Sequence, residues 1–98
     1  MASRAEVLEV IDGERTYQDN LPPERYDGRE LTIGDYLTLM RTYLREAEDR
    51  MNRCAGNRMA MHSVRKITAL GIKAMMQFEA PTRAEETVDL APFMKVFE

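Results

Sequence analysis

The chain has no tryptophan, a single cysteine, a single histidine, only five glycines and four prolines, and no long apolar run. Each shortage excludes something. Cys54 by itself cannot form an internal disulfide and suits a reducing compartment. His62 and Cys54 do not make the cluster of several ligands that zinc requires. No stretch approaches the ~20 consecutive apolar residues needed to cross a bilayer. Residues 1–6 lack the apolar core of a signal peptide, so a cytoplasmic protein without a membrane partner is expected. Glycine-rich phosphate loops, internal repeats and low-complexity tracts are also missing. Positive charge is in short supply overall: the formal net charge is -3, whereas duplex-DNA-binding domains are typically basic. No duplex nucleic acid is expected as a partner.

What is present fits one small domain. Ninety-eight residues suffice for one core and not two. Apolar residues make up 44% and charged residues 32%, so that core is thin. A chain this short buries only ~60–65% of the surface its unfolded form exposes, and association with further copies is the usual way to bury more. The expected state is a homo-oligomer. Eight methionines read chiefly as adaptable core filler.

Periodicity predicts an all-α fold. Ser3-Arg4-Ala5-Glu6 fits a capping box, and Val7, Leu8, Val10 and Ile11 follow, giving a short first helix from Arg4 to Tyr17 or Gln18. Gly13 weakens it by roughly 0.8–1 kcal/mol relative to alanine. Residues 19–30 hold Asn20, Pro22, Pro23 and Asp27-Gly28, which make an irregular loop. Residues 32–78 organise the rest, as two long helices joined at Cys54-Ala55-Gly56-Asn57. Thr32 is a strong N-cap, with Asp35 at the third helical position and Leu31 set as the outer half of a hydrophobic staple. Ile33, Leu37, Met40, Leu44, Ala47 and Met51 step by four and three along one face, with Tyr36 and Tyr43 at its edge. Asn57 is placed to cap the next helix, in which Ala60, Val64, Ile67, Gly71, Ala74 and Phe78 repeat the stepping. A short joint makes the pair an antiparallel helical hairpin, on which the first helix and the loop pack. Ala80-Pro81 stops the second long helix. The reading is one helical domain over 1–81 and a polar tail over 82–98 whose apolar end, around Phe93 and Phe97, docks on the body or on a neighbouring subunit.

Few side chains suggest chemistry. Glu46 and Asp49 share a face of the first long helix, but the facing helix offers Arg65, Lys66 and Lys73 where a magnesium site needs further acid. Ser63 and His62 are neighbours that point about 100° apart, so no nucleophile–base pair results. The cations are more informative. His62, Lys66 and Lys73 form a stripe with Arg58 and Arg65 beside it, and Arg41 and Arg45 share a face of the other helix. Arginine recognises phosphate through a bidentate fork and stacks on flat rings. With Tyr17, Tyr26 and Tyr36 available for stacking, the set suits a small phosphorylated ligand.

The opening from Val7 to Asp19, an apolar run followed by Glu14-Arg15, then Tyr17-Gln18, resembles the start of small phage proteins described as MazG-like. Tyr36-Leu37, Leu44-Arg45-Glu46-Ala47 and Val64-Arg65-Lys66-Ile67-Thr68-Ala69-Leu70 resemble the helical pair of the same group, over roughly residues 6–83. The resemblance implies an all-α, oligomeric fold related to magnesium-dependent nucleoside triphosphate pyrophosphohydrolases. Their first acidic motif aligns with Arg45-Glu46-Ala47-Glu48-Asp49, where arginine replaces the leading glutamate, and the second motif is replaced by the Arg65-Lys66 region. The expectation is therefore a phage accessory protein in the cytoplasm of an infected bacterium. It would sequester a nucleotide or nucleotide-derived signal, as cyclic-nucleotide sponges do against host defence, with neither catalysis nor a cofactor. Arg15, Tyr17 and Gln18 would line the site, Arg65 and Lys66 would hold phosphate, and the loop bearing Tyr26 would close it. The alternative is a divergent pyrophosphohydrolase using Mg2+ with Glu46, Asp49 and Glu14, or Asp12 in its place. A third reading is a protein–protein interaction module.

Overall fold

The computed structural model describes residues 1–22, 29–53 and 56–94, and every regular element among them is a helix: α1 (Arg4–Asp19), α2 (Ile33–Asn52), α3 (Asn57–Phe78) and α4 (Arg83–Met94). The turn at Asp27-Gly28, Tyr26 of the expected lid, the Cys54-Ala55 joint and Phe97 of the tail lie outside the described residues, as does the side chain of Phe93.

Local signals set the helix starts. The Ser3 hydroxyl accepts from the Glu6 amide at 3.1 Å while the Glu6 carboxylate accepts from the Ser3 amide at 3.3 Å. Two otherwise unsatisfied donors are thereby met at the start of α1. The same reciprocal pair recurs between Thr32 and Asp35, at 3.1 and 2.9 Å. Leu31, just outside that cap, is buried beside Tyr36, the fourth residue of α2, which completes the staple. At α3 the structure differs from expectation. Gly56 is the cap, with φ of 92°, and Asn57 is the first helical residue without a side-chain cap. Glycine has no Cβ to resist that backbone. The tail region also differs, since residues 83–94 form α4, started by a Thr82–Glu85 box whose bonds are 2.9 and 3.4 Å.

α3 is the central strut. Near the start of α2, Tyr36 donates to Gln77 Oε1 at 2.7 Å and meets the Phe78 ring edge-to-face at 6.2 Å. Near the end of α2, Arg50 donates to the Met59 carbonyl at 2.8 Å. The two helices therefore run in opposite directions. α1 packs on another side of α3, the backbones of α1 and α2 do not come within 8 Å of each other, and α4 approaches none of the three.

The face that α2 turns to α3 is rotated from the one periodicity selects, keeping only Met40 and Ala47 of the expected seam. Tyr36 is 1% exposed and Ala47 is buried, with Leu39, Met40, Tyr43, Glu46 and Arg50 half-buried. Ile33, Leu37, Leu44 and Met51 point away from that contact and stay about half exposed. The shift has a physical reason: tyrosine, glutamate and arginine bury their stems while their polar ends find partners. Tyr36 thus belongs to the core, beside Leu31 and Leu70, and is not available to stack on a base. On α3, Ala60, Ser63 and Ala69 are buried small residues, which lets flanking helices approach closely.

Candidate functional site

The residues 14–18 motif is where α1 meets α3. Ile11, Glu14 and Gln18 recur at three and four residues, so they share one helical face, with Arg15 at its side. Glu14 is 9% exposed, and its carboxylate accepts from Arg65 Nε at 2.7 Å and from Gln18 Nε2 at 3.1 Å. Arg65 also contacts His62 Nδ1 at 2.6 Å, leaving its Nη2 without a partner among the described residues. A carboxylate in so little water is tolerable because both its oxygens are bonded; removing either partner would leave a poorly solvated charge.

Arg15 and Gln18 reach the backbone of α3. Arg15 Nη1 donates to the Ala69 carbonyl at 2.6 Å and to Gln18 Oε1 at 2.7 Å, and its Nε and Nη2 bond Asp19 at 3.2 and 2.9 Å. The Arg15 hydrogen bond, ahead of the charge of Lys73, holds the Asp19 carboxyl below the usual carboxylate range. Gln18 Nε2 lies 3.4 Å from the Lys66 carbonyl. Lys66 itself places its ammonium 5.3 Å from the centre of the Tyr43 ring, a cation–π contact from α3 to α2. Tyr17 is exposed and stands off this network. Of the sequence-derived ligand set, the structure therefore brings Arg15, Gln18 and Arg65 together as helix-to-helix bonds, sets Lys66 against α2, and leaves Tyr17 on the surface.

The acids of the magnesium alternative are dispersed. Glu46 pairs with Arg50 at 3.0 Å, Asp49 with Arg53 at 3.1 Å and Glu14 with Arg65 at 2.7 Å. Glu46 and Asp49 are on α2, whereas Glu14 and Asp12 are on α1, whose backbone α2 does not approach. Among the described residues no three His, Cys, Asp or Glu side chains group as metal ligands would.

Two concavities flank this framework. One, of about 380 Å3, lies where α1, the loop, α2 and α3 meet, and its cations are already matched: Arg29 with Asp35, and Lys73 with Asp19 at 3.9 Å. The other, of about 450 Å3, is a groove between α1 and α3 with an apolar wall of Val7, Val10, Ile11, Met61 and Val64. Arg58, His62 and Arg65 line the same groove. Arg58 has no ionic or hydrogen-bonding partner among the described residues, so its full fork is open, as is Nη2 of Arg65. Ligand sites commonly pair an apolar surface with a few convergent polar groups in a cleft of this size, ~300–1,000 Å3. Sequence reasoning placed Arg58 beside the basic stripe but missed the pairing of Arg65 with Glu14. The available signal was a polar series, Glu14 and Gln18, continuing the inward face begun by Ile11. Comparison with protein-family models finds no match for this chain, and comparisons with curated proteins and with solved structures find none either.

Proposed function

We propose that the chain is a MazG-like phage accessory protein that binds a nucleotide or nucleotide-derived signal without altering it, withholding the signal from host defence in the cytoplasm of the infected cell. The supporting observation is the α1–α3 groove, where an apolar wall suited to a base or sugar face adjoins the unpaired guanidinium of Arg58 and the free Nη2 of Arg65. In this reading a phosphate takes the two arginines, the His62 ring, whose Nδ1 is engaged by Arg65, offers its Nε2–H as a third donor, and Arg15 and Gln18 act one step back by fixing α1 against α3. Tyr17, six residues beyond Ile11 on α1, is not among the residues lining this groove. Lys66 adds positive potential from its position by Tyr43. The scaffold is read as a short helix and irregular loop packed on a helical hairpin, in a homo-oligomer held by helix faces. No metal is needed for binding of this kind.

The test is calorimetric titration with nucleoside triphosphates, linear dinucleotides and cyclic dinucleotides, with and without magnesium, followed by heat denaturation and identification of the released ligand. Recovery of intact ligand is the expected result. Cleaved ligand would instead establish the pyrophosphohydrolase alternative. Arg58→Glu should weaken binding by at least about tenfold, as loss of a charge-assisted phosphate contact does, with unchanged helicity. Arg58 is the better probe because Arg65→Glu would also place two carboxylates together at Glu14. Unchanged affinity in Arg58→Glu would rule out this groove.

A further inference from the structure

The face of α2 that flanks its contact with α3 has no partner among the described residues. Ile33, Leu37, Leu44 and Met51 are 54%, 58%, 51% and 48% exposed. At 100° per residue they fall within an arc of about 40°, so they form one continuous apolar ridge on the helix. The charged residues next to it are patterned. Arg41 and Glu48 sit seven residues apart on the solvent side of the ridge, both exposed, and neither has a partner among the described residues.

The surface balance points the same way. A folded monomer of this mass is expected to expose about 5,700 Å2, whereas this chain exposes 8175 Å2. Its radius of gyration is 16.7 Å, against about 12.6 Å for a compact chain of this length. Part of that surplus is α4, which packs on none of the other helices, but the excess is well above the roughly 800 Å2 that each partner gives up in a stable dimer. A ridge of four large apolar side chains supplies the kind of surface such a contact requires.

We infer that the ridge receives the α2 ridge of a second copy, the two helices crossing in opposite directions about a two-fold axis near Leu44 and Arg45. A two-fold contact is self-complementary: if residue i meets residue j, then j meets i. Opposed helices centred there bring Arg41 of one copy against Glu48 of the other, and Glu48 against Arg41, so both unpaired charges are matched twice. A parallel two-fold pairing would instead put the Arg41–Glu48 flanks of the two copies on opposite edges of the contact, where neither charge meets its complement. The charge pattern therefore selects the antiparallel arrangement.

Sedimentation velocity on the full chain in the micromolar range tests this. The expected species is a dimer or an even multiple of it; a monomer across that range overturns the proposal, including the case in which the ridge serves an unrelated protein. Leu44→Asp should dissociate the assembly. Because that change could also disturb folding, Arg41→Glu and Glu48→Arg are the deciding variants, both made at exposed, unpaired positions. Each single change should weaken self-association at least about tenfold, because it places like charges across the interface, while the double exchange should restore it. Singles without effect, or a double exchange that fails to restore association, overturn the antiparallel register.

Discussion

Asp35 concentrates three donors on one half-buried carboxylate: the Arg29 guanidinium and the amide and hydroxyl of Thr32. The Arg29 hydrogen bond, followed by that from the Thr32 amide, holds its carboxyl well below the ordinary value of 3.8. Because the folded value is depressed, the linked stability is present above 3.8 and is lost as pH falls through the lowered value. Asp35→Asn should thus be less stable than the parent at neutral pH, with a gap that closes in acid. Urea midpoints measured from neutrality to strong acid would check this, and a gap that persists undiminished at the acid end would refute it. Such local chemistry was legible in the residues themselves, since both reciprocal caps at Ser3 and Thr32 span only three positions. The Arg65–Glu14 pair was not, because its members are 51 residues apart and only the packing of α1 on α3 joins them.

Helix ends and helix faces differ in the same way. The stop before Pro81 was readable, and the structure adds its cost: Glu79 holds φ of 56° and ψ of 112°, a left-handed conformation that disfavours a Cβ. Glu79→Gly should stabilise the fold by about 0.5–1 kcal/mol, the relief of that conformation less the added chain entropy of glycine. A Tm rise of a few degrees in calorimetry is expected, and a fall would show that the Glu79 side chain makes a stabilising contact. The face of α2 was harder to read because the apolar pattern names two candidates. Tyr36 and Tyr43 look like an edge by hydropathy, yet their rings fill the contact with α3, while the more uniformly apolar ridge of Ile33, Leu37, Leu44 and Met51 is left outside. α4 was hidden by composition: an acid-rich stretch reads as a tail, although Thr82-Arg83-Ala84-Glu85 carries the signature of a helix start.

The molecule as a whole is asymmetric about one helix. Arg15 and Gln18 fasten α1 to α3 mainly through the carbonyls of Ala69 and Lys66, while α2 holds its other side through Tyr36, Arg50 and the Tyr43–Lys66 contact. The proposed ligand groove and the proposed self-association ridge have no residue in common, and α3 stands between the helices that carry them. In thermodynamic terms, the two equilibria are linked only to the extent that α3 changes position. A helix clamped from two sides is a poor transmitter, so the coupling free energy should be near zero. Ligand affinity of Arg41→Glu should match the parent within experimental error even as its assembly falls apart. A several-fold change in that affinity would mean that α3 moves, and that occupancy of the groove and the number of copies in the assembly regulate one another.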